Sequence, residues 1–187
     1  ILHRHGMKVL VDEAHGTHFY FGDGLPPSAM SCGADMASVS VHKTGGSLTQ
    51  SAILLLGKGI DPNYVRQIIN LTQTTSASYL LMVSLDLARQ NLALHGREFY
   101  AKTVEFADYA RKEINAIGGY YAFGEELCDG KAFYAFDKTK LSVHTRAMGL
   151  AGIEVYDLLR DEYDIQIEFG DIGNILAIIT GGDRALE

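Results

Sequence analysis

Two short apolar runs, each followed directly by an ionisable side chain, constrain most strongly what this chain can fold into. Residues 8–11 (KVLV) lead into Asp12, and residues 37–42 (ASVSVH) lead into Lys43. A brief apolar run without alternation, such as the first, is typical of a strand buried on both faces of a parallel α/β sheet. Ligands of open α/β sheets bind outside the carboxyl ends of the strands. The sequence therefore predicts an α/β fold in which Asp12 and Lys43 face one ligand.

The second run alternates between apolar and polar side chains, which predicts a strand with two different faces. Ser40 and His42 fall on its polar face, and Lys43 stands at its end. A third strand is predicted over residues 51–56, where Gly57 follows the apolar side chains. A solvated strand end explains a single lysine, but it does not explain a hydroxyl, an imidazole and an amine placed together with a carboxylate on the neighbouring strand.

Helices are predicted in the middle of the chain. Asp61, with Pro62 after it, has the pattern of an N-cap followed by the first helical residue, so a helix is expected to start there. Apolar residues at helical spacing predict a second helix to about residue 95, which Gly96 ends, and a third, which Gly118 ends.

Beyond Gly119 the predicted elements become shorter, which indicates a small α+β unit. We therefore expect two domains, a larger α/β domain over residues 1–118 and a small α+β domain over residues 119–187. One helix is predicted at about residues 150–162. The predicted strands of the small domain are residues 132–136, 141–145, 165–169 and 175–180.

Composition excludes several classes of function. The net charge of −7 disfavours sequence-independent binding to nucleic acid. The longest apolar run, residues 52–56, is far too short to span a bilayer. Two cysteines, Cys32 and Cys128, are too few for a disulfide framework, so we expect a reducing compartment, the cytoplasm.

Five segments, in this order and at this separation, resemble the Orn/Lys/Arg decarboxylase family. They are residues 11–19 (VDEAHGTHF), 25–29 (LPPSA), 40–44 (SVHKT), 48–51 (LTQS) and 72–79 (TQTTSASY). The resemblance is strong over residues 1–97 and weak beyond. It implies a pyridoxal-phosphate enzyme of fold type I, the aspartate-aminotransferase fold. Residues 1–118 then form part of its large domain, with a mostly parallel sheet, and a small α+β domain follows.

The resemblance also implies roles for individual residues. Lys43 forms the Schiff base with the aldehyde of pyridoxal 5'-phosphate, and Asp12 pairs with the pyridine nitrogen. Ser40 and His42 hold the phosphate, where a charge-assisted hydrogen bond is stronger than a neutral one. His15 is expected beside the cofactor ring, as a further catalytic and cofactor-binding candidate. No metal ligand is implied.

Thr74, Thr75 and Ser76 resemble a hydroxyl-bearing segment that, in this family, reaches the cofactor of a neighbouring subunit. The resemblance therefore implies a homodimer or higher homo-oligomer. The implied reaction is decarboxylation of arginine, lysine or ornithine in polyamine metabolism. The family's glycine/serine phosphate loop and its ring-stacking aromatic residue do not precede Ile1. We therefore expect the chain to be a fragment without its N-terminal part, inactive alone.

Four alternatives stay open. An aminotransferase shares the lysine and the aspartate. The tetrapeptide Asp12 to His15 also matches helicases in which both carboxylates serve Mg²⁺ and ATP, although the acidic charge disfavours a nucleic-acid motor. A non-catalytic, self-associating subdomain could use the aromatic residues at 120–123 and 133–136, which are better explained as core strands. A metal site is less favoured than exposed loop histidines. Its candidate ligands are Asp12, His15, His18, His3 and His5.

Overall fold

The structure, a computed structural model, describes residues 1–183. It contains two compact units, which consist of residues 1–23 with 27–97 (unit 1) and of residues 24–26 with 98–187 (unit 2). The predicted domain boundary at residue 118 stays a prediction. The last four residues of the predicted small domain, 184–187, lie outside the described part.

Unit 1 contains a three-stranded sheet in the order β1-β2-β3. Strand β1 (Leu10–Asp12) pairs in parallel with β2 (Met36–Val39), and β2 pairs antiparallel with β3 (Ile53–Leu56). The α/β class is therefore as predicted, but over the described residues the sheet is mixed rather than mostly parallel.

One face of this sheet is open. Leu10 is 68% exposed, and Asp12 and Ser38 are exposed beside it. Together with Leu54 these side chains line a shallow cavity of about 290 Å³. The prediction that the first strand is buried on both faces is thus wrong for the described residues, because none of them covers Leu10.

The predicted strand over residues 37–42 is wrong in its second half. Strand β2 ends at Val39, and after Ser40 the chain forms the single helical turn α1 (Val41–Thr44). Ser40 and His42 therefore do not share a strand face. The physical reason is packing: Val41 is buried, and a Cβ on Gly45 would lie 2.7 Å from the Thr17 side chain, so only a glycine lets the turn approach this closely.

Helix α2 (Pro62–Thr72) begins where the sequence predicts, because the Asp61 carboxylate accepts a hydrogen bond from the Asn63 amide at 2.9 Å. Helix α3 (Tyr79–Ile117) is continuous over 39 residues, so the predicted break at Gly96 is wrong. Gly96 is buried, and a Cβ there would lie 2.8 Å from the Phe21 Cβ. This glycine allows close packing and does not end the helix.

Helix α3 ends as predicted. Gly118 and Gly119 both have φ of +82°, in the left-handed region that glycine adopts at low cost.

Unit 2 contains a four-stranded antiparallel sheet in the order β4-β5-β7-β6. Its strands are β4 (Tyr121–Ala122), β5 (Lys140–His144), β6 (Phe169–Gly170) and β7 (Asn174–Ile178). Helix α4 (Gly152–Tyr163) packs against β6 and β7. Ala122, Leu141 and Val143 form the core of this unit, with Ala110 and Ile114 of α3 packed against them.

The predicted strand over residues 132–136 is wrong. These residues follow a turn in which the Asp129 carboxylate accepts three backbone hydrogen bonds, from Lys131, Ala132 and Phe133. Phe133 and Tyr134 are 60% and 78% exposed, so this aromatic segment is not a core strand. The Asp129 carboxylate thus accepts hydrogen bonds from backbone amides that would otherwise donate to a neighbouring strand. Among residues 1–183, no helix has the length and apolar character needed to cross a membrane.

Candidate functional site

Asp12 and the turn that carries Lys43 follow two adjacent parallel strands at the same edge of the unit 1 sheet. Asp12 is the last residue of β1, in register with Ser38 of β2. Both Asp12 and Lys43 have exposed side chains. The Asp12 carboxylate accepts a hydrogen bond from the Ala14 amide at 3.1 Å, which starts the turn after β1. A carboxylate therefore lies at the end of β1, and an amine lies in the helical turn that follows the neighbouring strand β2.

His15 connects the two strand ends. Its Nε2 lies 3.3 Å from the Lys43 Nζ. A lysine ammonium has only donors, so Nε2 accepts and a neutral His15 ring carries its hydrogen on Nδ1. The turn that aims this ring is closed by a hydrogen bond from the Gly16 amide to the Glu13 carbonyl at 2.9 Å. The segment after Asp12 and the side chain of Lys43 are thus in contact.

His42 is held from one side. Its Nδ1 donates to the Ser51 carbonyl at 2.8 Å, and its backbone amide donates to the same oxygen at 3.4 Å. Because a carbonyl only accepts, Nδ1 carries a hydrogen and Nε2 is the nitrogen that can meet a ligand. Ser40 precedes the helical turn α1 at its N-cap position, and its hydroxyl makes no capping hydrogen bond there.

Thr74, Thr75 and Ser76 lie in the exposed segment between α2 and α3. The Thr74 hydroxyl accepts a hydrogen bond from the Ser76 amide at 3.0 Å, which is a local turn contact. Among the hydrogen bonds of the described residues, none joins this segment to Asp12 or Lys43. Its role toward a neighbouring subunit stays a prediction.

The Glu13 carboxylate, the second carboxylate of the helicase alternative, is engaged by protein donors. One of its oxygens accepts from the Tyr20 hydroxyl at 2.5 Å and the other from the Ala29 amide at 2.8 Å. Both oxygens are thus engaged by protein donors, which argues against this alternative.

The histidines considered as metal ligands are used differently. His3 Nε2 lies 2.8 Å from the Asp35 carboxylate, and His18 is 1% exposed within the 3₁₀ turn Thr17–Tyr20. The expectation that these are exposed loop histidines is therefore wrong for His18. Over residues 1–183, no group of three or more His, Cys, Asp or Glu side chains could hold a metal ion.

Sequence reasoning missed two ionisable groups of unit 1. The backbone amide of Val9, then His3 and Lys8, donate to Asp35 and hold the pKa of its carboxyl well below the ordinary value. Burial, with a further contribution from the Glu13 hydrogen bond, raises the pKa of Tyr20 to about 12. Asp35 lies just before β2 and Tyr20 seven residues after Glu13, so neither has a signal in local sequence pattern.

Comparison with known proteins decides the family. The profile of the Orn/Lys/Arg decarboxylase major domain matches residues 1–185. The chain belongs to the Orn/Lys/Arg decarboxylase family. The resemblance carried by the five sequence segments is thereby confirmed, and so is the α/β fold class.

Two curated relatives within this family are named arginine decarboxylase. The protein from Halalkalibacterium halodurans is 47% identical over 100% of this chain, and that from Bacillus subtilis is 46% identical over 98%. The chain spans 38% of the length of each of them.

A solved structure shares the fold. The lysine decarboxylase of Francisella novicida superposes with a TM-score of 0.79 at 17% identity, over 94% of this chain and 30% of that protein. At this identity the likeness concerns the fold alone.

Proposed function

We propose that the full-length protein decarboxylates a basic amino acid, with pyridoxal 5'-phosphate as its cofactor. The observation that carries the proposal is the exposed amine of Lys43, 3.3 Å from His15, at the sheet edge where Asp12 ends β1. Relatives named arginine decarboxylase, 44–47% identical, put arginine before lysine and ornithine as the substrate. The activity belongs to the longer protein because this chain spans 38% of its relatives.

The donor set fits this cofactor. The exposed Lys43 side chain is a primary amine, which can bind the cofactor's aldehyde covalently and exchange it for a substrate amine. When bound, the cofactor supplies a ring that accepts the electron pair left on the substrate after loss of carbon dioxide. His15, within hydrogen-bond distance of the Lys43 amine, can take a proton from it at Nε2.

Asp12 offers a solvent-facing carboxylate, one oxygen of which already accepts a hydrogen bond from the Ala14 amide. A carboxylate against the ring nitrogen favours the protonated form of that nitrogen, because opposite charges stabilise each other at short range. In the same proposal, Ser40 offers its hydroxyl and His42 its Nε2 to the phosphate. Since Nδ1 of His42 is committed to Ser51, Nε2 is the ring nitrogen that remains for a phosphate contact.

We include in the proposal a homodimeric or higher assembly, in which Thr74, Thr75 and Ser76 reach the cofactor of the neighbouring subunit. This part of the proposal is supported by the exposure of the three side chains and by their hydroxyl groups, which can donate hydrogen bonds to a cofactor. A cytoplasmic location and a place in polyamine metabolism follow from the resemblance and belong to the same proposal.

The test is an assay of carbon dioxide release by the full-length protein on arginine, lysine and ornithine. Release is expected on at least one of them, and Lys43→Ala should lower the rate by about 10³-fold or more, because the group that binds the cofactor covalently is lost. Lys58→Ala, an exposed lysine after β3, is the matched control and should leave the rate unchanged. Transamination without carbon dioxide release on any of the three substrates would support an aminotransferase instead.

Cofactor attachment is tested separately by borohydride reduction followed by peptide mass spectrometry. The full-length protein should carry the cofactor on the Lys43 peptide, and the Lys43→Ala protein should carry none. We expect the 187-residue chain alone to be labelled weakly or not at all; strong stoichiometric labelling of Lys43 in that chain would contradict this expectation.

A further inference from the structure

Two features of unit 1 have no part in the proposed chemistry: the Glu13 side chain, and Ala29, the last residue of the segment 25–29 (LPPSA) that helped to identify the family. The structure joins them directly. The Glu13 carboxylate accepts from the Ala29 amide at 2.8 Å and from the Tyr20 hydroxyl at 2.5 Å. One carboxylate thus ties together three stretches of chain that are separate in sequence.

The Glu13 backbone is fixed as well. Its amide donates to the Ser38 carbonyl of β2 at 2.9 Å, and its carbonyl accepts from the Gly16 amide at 2.9 Å. A Cβ on Gly16 would lie 2.2 Å from the Glu13 Cγ, so the side chain lies directly over this glycine. Glu13 is therefore anchored at both ends, to the sheet through its backbone and to the following loop through its carboxylate.

The anchored residue lies between two candidate site residues. Asp12 precedes it at the end of β1, and His15 follows it within the turn that Gly16 closes. His15 Nε2 meets the Lys43 amine at 3.3 Å, and the side chains of Asp12 and Lys43 are both exposed. The contacts of Glu13 therefore restrain this turn, together with the hydrogen bond from the Ala14 amide to the Asp12 carboxylate.

We propose that Glu13 is a positioning residue: its carboxylate, clamped between Tyr20 and Ala29, fixes the turn that presents Asp12 and His15 to Lys43. The proposal rests on the proposed function for its effect on turnover, but its geometry can be tested without it. Ala29 then serves the site indirectly, because its amide is one of the two donors that hold the Glu13 carboxylate.

Glu13→Gln is the sharpest variant, because it keeps the size of the side chain while it removes the charge and one of the two acceptor oxygens. Tyr20→Phe removes one arm of the clamp without altering Glu13, and it is the second variant if Glu13→Gln does not fold. Tyr64→Phe, a tyrosine that is 62% exposed on α2, is the matched control.

The clamp itself is measured first, by phenol titration and amide exchange in the full-length protein. In Glu13→Gln the pKa of Tyr20 should fall below its value of about 12 while staying above the ordinary value, because burial persists and the contribution of Glu13 is lost. Exchange of the Ala29 amide should become faster by about tenfold. An unchanged Tyr20 titration together with unchanged Ala29 exchange would overturn the proposal.

Positioning is measured at Lys43, independently of any turnover. The rate of modification of the Lys43 amine by a small amine-reactive reagent, taken relative to Lys58 in the same protein and read by mass spectrometry, should change by at least about threefold in Glu13→Gln. Tyr20→Phe should give a smaller change in the same direction, and Tyr64→Phe none. A loosened clamp with an unchanged Lys43/Lys58 ratio would reduce Glu13 to a structural role and would overturn the proposal.

The catalytic readout separates this inference from the proposed function. In an active enzyme, Glu13→Gln should lower kcat by about 10–100-fold with the cofactor still attached to Lys43. A rise in KM with kcat unchanged would contradict a positioning role. If the wild-type protein decarboxylates none of the three amino acids, the proposed function fails, whereas the Lys43 modification ratio still decides whether Glu13 positions the site.

Discussion

The two sheets of this chain differ in how far their side chains are exposed to solvent. The sheet of unit 1 keeps one face open, with Leu10, Asp12 and Ser38 exposed along it, and its reactive groups stand at the strand ends. The sheet of unit 2 buries Leu141 and Val143 of β5 against α3 and holds α4 against β6 and β7. Open strand ends provide binding chemistry, whereas a closed core provides stability.

Polar anchoring shows the same contrast. In unit 1 the carboxylate of Glu13 joins loops beside the candidate site. In unit 2 Arg111, with its side chain 11% exposed, donates to the carbonyls of Phe123, Lys138 and Lys140 and forms an ion pair with Asp108. The comparison therefore predicts that substitutions in unit 2 act on stability and those at the strand ends of unit 1 act on chemistry.

The largest effect is expected for Gly152→Ala, where α4 crosses the turn before β7. A Cβ on Gly152 would lie 2.0 Å from the Asn174 carbonyl oxygen and 2.7 Å from that of Asp171. Backbone on both sides must move, so the free energy of unfolding should fall by about 3 kcal/mol. Urea denaturation measures it.

Gly182→Ala is the control for this substitution, because the nearest atom to its added Cβ is a Thr180 hydroxyl at 3.5 Å. Its unfolding free energy should stay within about 0.5 kcal/mol of the wild-type value. A Gly152→Ala protein as stable as this control would break the contrast between a closed unit 2 and an open unit 1.

Arg111→Met should cost about 2–3 kcal/mol of unfolding free energy. Methionine keeps much of the apolar stem but leaves the carbonyls of Phe123 and Lys138 without the donor they have in the buried site. Lys112→Met, at the neighbouring exposed position of α3, is the matched variant and should change stability by less than about 0.5 kcal/mol. Equal losses in the two proteins would contradict the anchoring role of Arg111.

A pH dependence should come from Asp35 in unit 1. Its pKa is lowered by the Val9 amide, His3 and Lys8, so the unfolded chain binds the proton more tightly than the folded one. The stabilisation is complete above the ordinary carboxyl pKa and is lost as the pH falls through the acidic range. Asp35→Asn should therefore flatten the decline of the unfolding midpoint below about pH 4. An unchanged decline would show that Asp35 does not set it.

The smallest effect is expected at Gln50, the residue before Ser51 in the loop that holds His42. Its φ of +65° is in the left-handed region, which costs a non-glycine residue free energy. Gln50→Gly should raise the free energy of unfolding by about 0.5 kcal/mol, after subtraction of the greater chain entropy of glycine. Thr49→Gly, at an adjacent exposed position, should lower it instead. A loss in both variants would remove the conclusion that Gln50 is strained.

Much of the architecture follows from local chemistry. The Asp61–Pro62 pair predicts the start of α2, and the glycines after residue 117 predict the end of α3, since a cap needs only its own neighbours. The strand that ends at Asp12 and the first half of the strand before Lys43 are likewise visible as short apolar runs. The five family segments identify the family because their residue types and their order can be read without any fold.

The tertiary structure decided what depends on residues far apart in sequence. Gly96 stays inside a continuous helix because Phe21 packs against it, and residues 41–44 turn into a helix because Gly45 lies against Thr17. Only the fold joins Glu13 to Ala29. The sequence by itself determined which reactive groups this protein possesses, since these are a matter of residue type. Which of them meet, and which merely support the others, was decided by packing and by the need of each buried polar group for a partner.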